Sequence, residues 1–348
     1  MNKDRTLDFI RKLPKVEMHG HFESAIPTTT AIEIMQRNKA QHAPQTPEEL
    51  HQLYSFTDLT HFVRAMKTVT NHLVRLEDLY RVCREMLENL ARQNVRYVEF
   101  DCALQKYIDL GMDLQEIVTV LQNASAEMKA AVGIQSRMVV NLQRSHGSQK
   151  TAQLVQSVLR LDNPFIVGIG LSGDESLHPQ NGFVSAFALA REAGLHRTVH
   201  AGEAMGPDSV WDALHNLHAE RIDHGTRSVE DANLLKYLVD TRIPLTQCLS
   251  SNVRLHVVSD IRQHPFARFF RQGVAVTLNT DDPQIFEVSL TSEYELAYHA
   301  FEFTTKDLAQ IALQGAMASF LPQEEKQQLL HTMRSELNLL DEEIRRFV

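Results

Sequence analysis

Short β-branched hydrophobic runs recur along this chain, each followed by a longer stretch of helical periodicity. Strands separated by crossover helices build a parallel sheet. Eight candidate strands are legible: Val16–His19, Val95–Asp101, Arg137–Leu142, Phe165–Leu171, Thr198–His200, Arg221–His224, Ile243–Cys248 and Val274–Thr280. Several are apolar throughout or end in a polar residue, as expected of parallel strands buried on both faces. Eight such units close most simply into an α/β fold, a (β/α)8 TIM barrel. Barrels of this class run from about 200 to over 400 residues as one domain, so residues 1–348 are read as a single elaborated domain.

Helix signals fill the intervals. Thr46-Pro47-Glu48-Glu49 places a cap, a proline at the first helical position and acids in the first turn. Ser228-Val-Glu-Asp231 reads as a capping box before Leu234, Leu235 and Leu238. Leu308, Ile311, Ala312, Gly315 and Ala316 form a helical stripe, and Pro322 opens another helix. The interval 20–94 is too long for one crossover helix. It is read as additional helices inserted after strand one, laid over one mouth of the barrel.

The formal charge of −9, with no basic stripe, argues against a nucleic-acid surface, which needs clustered Lys and Arg. Cys83, Cys102 and Cys248 lie far apart and form no C-x-x-C pair, which suits a reducing compartment. The opening MNKDRTLDFIRKLPKVEMHG lacks the apolar centre of a signal peptide, and the longest apolar runs are strand-sized. A cytoplasmic location, a small-molecule substrate and no membrane association are expected; no protein partner can be inferred.

Barrel active sites lie at the C-terminal ends of the strands, so polar residues there are the candidates. Strand one ends in His19-Gly20-His21, and alternate residues of an extended chain share a face. Seventeen histidines make about 0.8 chance H-x-H triplets expected in such a chain, so the triplet alone decides nothing. Strand five ends in TVHAGE, bringing His200 and, three residues later, Glu203; strand six ends in RIDHG with His224 at its exit. Strand eight ends in LNTDDP, where the adjacent Asp281 and Asp282 repel unless a cation or a shared proton stabilises them. Together these offer nitrogen and oxygen ligands suited to a divalent metal such as zinc, with a carboxylate and an imidazole left over for proton chemistry.

From KVEMHGHFESA through NVRYVEF, LSGDE, HRTVHAGE, ERIDHG, CLSSN and LNTDDP to SFLPQEEK, the sequence resembles the adenosine and adenine deaminase family. The resemblance implies one Zn2+ per chain on His19, His21, His200 and Asp281. It implies Glu203 as proton donor to purine N1, and His224 as the group that helps deprotonate the attacking water. It also implies Asp282 at N7, the Gly173 N–H at N3, Glu23 at the ribose, and a hydrophobic wall from Leu59, Phe62, Val63 and Met66. Deamination of adenosine to inosine and ammonia is the implied reaction. Deamination of adenine or of a modified aminopurine nucleoside is the alternative.

Two departures bear on substrate. Phe22-Glu23-Ser24 stands where the family often has leucine, aspartate and glycine, and glutamate there also occurs in adenine deaminases. Strand two continues as Phe100-Asp101-Cys102-Ala103-Leu104, without the arginine and serine-proline usual in nucleoside deaminases. Two other classes share parts of the pattern. A metal phosphoesterase barrel would need a basic phosphate-binding set, and no clear set is present. A non-catalytic zinc barrel would have no use for Glu203 or His224.

Overall fold

The computed structural model describes the backbone of residues 3–41, 43–55, 59–177 and 179–346, and their side chains except those of 3, 59–63 and 341–346. Eight strands form one sheet: β1 Lys15–His21, β2 Val95–Cys102, β3 Gln135–Gln143, β4 Ile166–Ser172, β5 His196–Ala201, β6 Arg221–His224, β7 Leu245–Gln247 and β8 Val276–Leu278. Each pairs in parallel with the next in sequence order. The expected (β/α)8 barrel is the observed fold. Strand one runs two residues beyond its expected end, carrying both histidines of the H-x-H triplet. Strands seven and eight are shorter than expected.

The seam between β8 and β1 closes at the functional end. Gly20 and Asp281 form a β-bridge. The His21 N–H donates to the Asp281 carbonyl and the Asp281 N–H to the His19 carbonyl, both at 2.9 Å. Further down, the Met18 N–H donates to Asn279 Oδ1 at 3.0 Å.

Between β1 and β2 lie the helices Thr28–Arg37, Pro47–Leu53 and Leu59–Thr70, before Leu76–Arg92 leads into β2. Helix Leu59–Thr70 packs against the turn Phe22–Ser24, directly after β1. Thr46 caps its helix as expected, accepting from the Glu49 N–H, with Pro47 in the first turn. The capping box at Ser228 is not formed. Residues Thr226–Glu230 make a 3-10 turn, and Asp231 caps the helix Ala232–Thr241 by accepting from the Asn233 N–H. The local pattern was two signals in tandem, and the residue nearer the apolar stripe wins. Among the described residues no helix is long and apolar enough to cross a membrane.

Helix Thr305–Ala318 packs across β1 and β8, and its stripe from Leu308 to Ala316 is buried. Gly315 permits the contact: a Cβ there would fall 2.2 Å from Cγ2 of Val16, whose branched side chain has little room to turn. In an exposed helix Gly→Ala gains about 1 kcal/mol. Here the sign reverses. Gly315→Ala is predicted to destabilise by about 1–3 kcal/mol through overpacking, read as a lower thermal midpoint, and Val16→Ala in the same chain should recover part of the loss.

Candidate active site

β1 is bulged between Glu17 and Gly20, where its register with β2 shifts. Buried Glu17 braces the bulge. One carboxylate oxygen accepts the His19 N–H at 3.2 Å; the other accepts the Thr280 N–H at 3.1 Å and its hydroxyl at 2.8 Å. Burial pushes this carboxyl up to about 7 against those hydrogen bonds. The bulge and the seam together bring both histidines of the triplet to Asp281.

Nε2 of His19 lies 3.1 Å from Nε2 of His200, which lies 3.3 Å from Nε2 of His21. Asp281 Oδ1 is 3.4 Å from Nε2 of His19 and 3.3 Å from that of His21. His224 joins the group: ligand atoms of His19, His200, His224 and Asp281 all lie within 4.8 Å of one another, while His21, Asp281 and Asp282 make an overlapping set. His224 Nε2 stands 3.5 Å from Glu203 and 3.9 Å from Asp281 Oδ2. His224 and Asp281 adopt φ of 63° and 61°, the left-handed region that is costly for such residues and is held only by surrounding contacts.

The supports beneath decide how the rings present themselves. The Thr246 hydroxyl donates to Asp223 Oδ1 at 2.9 Å, so at 3.0 Å it accepts from Nδ1–H of His19 and leaves that ring's Nε2 a lone pair. Nδ1 of His200 faces Asp223 Oδ2 at 3.3 Å. Two lone pairs pointing at each other across 3.1 Å repel unless a cation sits between them. The His19–His200, His200–His21, His21–Asp281 and Asp281–His19 separations of 3.1–3.4 Å are the spacing expected between ligand atoms each about 2.0–2.1 Å from one zinc ion. The donor set therefore fits a divalent metal. Asp223 is itself compensated, with Arg221 at 3.9 Å, and Arg221 is paired with buried Glu99 at 2.6 Å.

Around this centre, Glu203 Oε1 is buried and makes no hydrogen bond among the described residues. Burial first, and then the charge of Asp281, raise the Glu203 carboxyl well above the usual range. A cation on Asp281 would offset the second cause and leave the first. Burial also holds His224 neutral. Burial opposes ionisation of Asp281, but its contacts with His19 and His21 outweigh it and hold that carboxyl well below the usual range. Asp282, also buried, is raised to about 7 by burial and by its neighbour Asp281. Gly173 follows β4 with φ of 100°, a conformation that favours glycine.

Glu23 is buried beside the end of β2. Its Oε1 accepts the Ala103 N–H and the Tyr107 hydroxyl, both at 3.0 Å, and lies 3.9 Å from Cys102 Sγ. Of the expected hydrophobic wall, Met66 is half-buried against the core. The side chains of Leu59, Phe62 and Val63 lie outside the described residues.

A sequence pattern described as adenosine deaminase matches residues 14–336. The chain belongs to the adenosine deaminase family. It is 35% identical over 315 residues to an aminodeoxyfutalosine deaminase of Streptomyces avermitilis, covering 90% of this chain and 88% of that one. It is 33% identical over 323 residues to an adenine deaminase of Vibrio parahaemolyticus, covering 93% and 96%. A solved amidohydrolase from Burkholderia ambifaria with bound zinc superposes with a TM-score of 0.90 at 26% identity, over 99% of this chain and 96% of that one.

One residue of the site was passed over in sequence. Glu175 closes the SGDE motif, which was singled out only for Gly173. Its carboxylate accepts the N–H groups of Gly202, Glu203 and Ala204, each at 3.0 Å, and contacts the Ser209 hydroxyl. It thereby shapes the loop that carries Glu203. Glu175→Gln replaces one acceptor by a donor facing those amides, and a hydrogen bond to a charged group is worth about 1.5–3 kcal/mol. The expected outcome is kcat at least about tenfold lower with metal content unchanged, checked by ammonia release and elemental analysis on one sample.

Proposed function

We propose that this chain is a zinc hydrolase that removes the 6-amino group of adenine. The observation that carries the reaction is the convergence of His19, His21, His200 and Asp281 beside Glu203, whose buried Oε1 makes no hydrogen bond among the described residues. In this reading those four residues hold the metal, one ion per chain. When bound, zinc supplies Lewis acidity that brings the pKa of a water to about 7, where it can attack C6.

The protein's own groups do the rest. Attack at C6 breaks ring aromaticity, which is easier when N1 is protonated in the same step. Glu203, its carboxyl raised by burial, donates to N1; its carboxylate then carries the proton of the new C6 hydroxyl to the amine, which departs as ammonia, and the proton lost by the next attacking water restores the carboxyl. Asp282, poised near 7, donates to N7 when protonated. The Gly173 N–H reaches N3, and Met66 contributes to the wall behind the ring.

Adenosine, the substrate first expected from the sequence, gives way to the alternative. The relatives at 33–35% identity are named for adenine and aminodeoxyfutalosine. Glu23, expected at the ribose, already accepts from Ala103 and Tyr107, which ties it to the end of β2. A modified aminopurine nucleoside is the second reading, favoured by Lys106. That half-buried lysine is pushed down to about 8 by burial, with Glu23 as the acid that most opposes the shift. It offers a partner to an anionic appendage.

Adenine, adenosine and adenosine 5′-monophosphate assayed side by side by ultraviolet absorbance test the substrate. Adenine should exceed adenosine in kcat/KM by about 100-fold or more, since a site shaped for one discriminates through its buried polar groups. Equal rates, or faster adenosine, contradict the reading; preference for the monophosphate favours the second one. Glu203→Gln should keep zinc and the thermal midpoint but lower kcat by about 100- to 10,000-fold. A zinc-replete variant with near-normal kcat removes Glu203 from the proton path.

A further inference from the structure

The expectation that His224 helps deprotonate the attacking water requires a lone pair on Nε2, the nitrogen facing Glu203 and Asp281. A chain of buried hydrogen bonds behind the ring argues otherwise. It begins at a backbone amide, whose direction is not adjustable: the Phe266 N–H donates to Nδ1 of His264 at 3.2 Å. His264 is buried, and burial lowers its pKa to about 3, so the ring is neutral. A neutral imidazole that accepts at Nδ1 carries its proton on Nε2.

That Nε2–H points at Asn252 Oδ1, 3.0 Å away, and the same oxygen takes the Thr226 hydroxyl at 2.7 Å. The orientation of a side-chain amide is ordinarily open to a flip. Here a flip would set the Asn252 NH2 against the N–H of His264, so the direction is fixed. The amide NH2 of Asn252 then donates to Nδ1 of His224 at 3.2 Å. By the same rule, neutral His224 carries its proton on Nε2. Asn252 and His224 are both buried, so no water competes for these bonds.

We propose that His264 is a positioning residue that, through Asn252, holds His224 in the Nε2–H tautomer, making His224 a hydrogen-bond donor at the reacting centre. The proposal rests on the deaminase reading for its consequence, but not for the tautomer itself. As the attacking water gives up its proton, negative charge gathers on its oxygen. An Nε2–H aimed at that oxygen stabilises the charge without accepting a proton. The proton the water loses goes to the Glu203 carboxylate, which as the acid supplies N1, so the step balances without His224 changing its protonation.

Asn252→Asp is the decisive variant. It is isosteric, yet it presents an acceptor in place of the NH2, which calls for Nδ1–H on His224 and leaves Nε2 bare. Long-range proton–nitrogen correlation on zinc-loaded protein with labelled histidine reads the tautomer directly, with the His224 signal assigned by its loss in His224→Gln. The wild type should show the proton on Nε2, and Asn252→Asp should move it to Nδ1. In the same variant kcat should fall by about 10- to 1,000-fold with KM and zinc content little changed, since a positioned donor is typically worth a factor of that order.

His264→Met removes the donor to Asn252 and should scramble the tautomer, while His264→Gln, whose amide can replace it, should restore the wild-type pattern. These two carry the test if Asn252→Asp does not fold. A wild-type His224 protonated on Nδ1, or a tautomer unmoved in both Asn252→Asp and His264→Met, overturns the proposal. Should the wild type turn over no 6-aminopurine at all, the deaminase reading fails. The tautomer of the resting protein would still decide the relay.

Discussion

The barrel closes through the backbone of the residues whose side chains crowd its mouth. The amide of His21 and the carbonyl of His19 grip the backbone of Asp281, and this pair of bonds is the upper seam between the first strand and the last. Strand closure and assembly of the candidate metal site are therefore one event. Displacing Asp281 would open the seam as well as remove a proposed ligand. The left-handed backbone of Asp281 is sustained by this construction, since that conformation is not favourable by itself.

A second consequence is the amount of charge buried beneath the site. Glu17, Glu99, Asp223 and Arg221 are all within the core. Isolated buried charge is costly, and each of these is answered: Glu17 by His19 and Thr280, Arg221 by Glu99, Asp223 by Thr246 and the imidazoles. The Tyr97 hydroxyl also donates to Glu99 at 2.8 Å. This column orients the histidines from below, much as the Phe266–His264–Asn252 relay orients His224 from the side. The groups proposed to meet substrate are few, and most of the polar interior serves to aim them.

The strands were legible because period and composition mark a buried parallel strand locally, and the candidate ligands because such strands expose their ends to the site. What sequence did not mark are residues whose meaning lies in distant partners. Glu175 contacts amides 27 to 29 positions away, and nothing in SGDE distinguishes a loop acid from an amide clamp. His264 reaches His224 only through Asn252. Residues 228–231 failed for a different reason: serine and aspartate are both good caps, and only packing of the helix that follows chooses between them. The bulge at Glu17 was equally hidden, since strict alternation would have predicted a regular strand.

Anomalous scattering at the zinc edge, recorded from crystals of the zinc-loaded protein, tests the central claim most directly. The account predicts one peak per chain, about 2.0–2.2 Å from Nε2 of His19, His21 and His200 and from a carboxylate oxygen of Asp281, with His224 outside bonding distance. A peak bonded to His224 in place of His21, or no zinc among these residues, would contradict it.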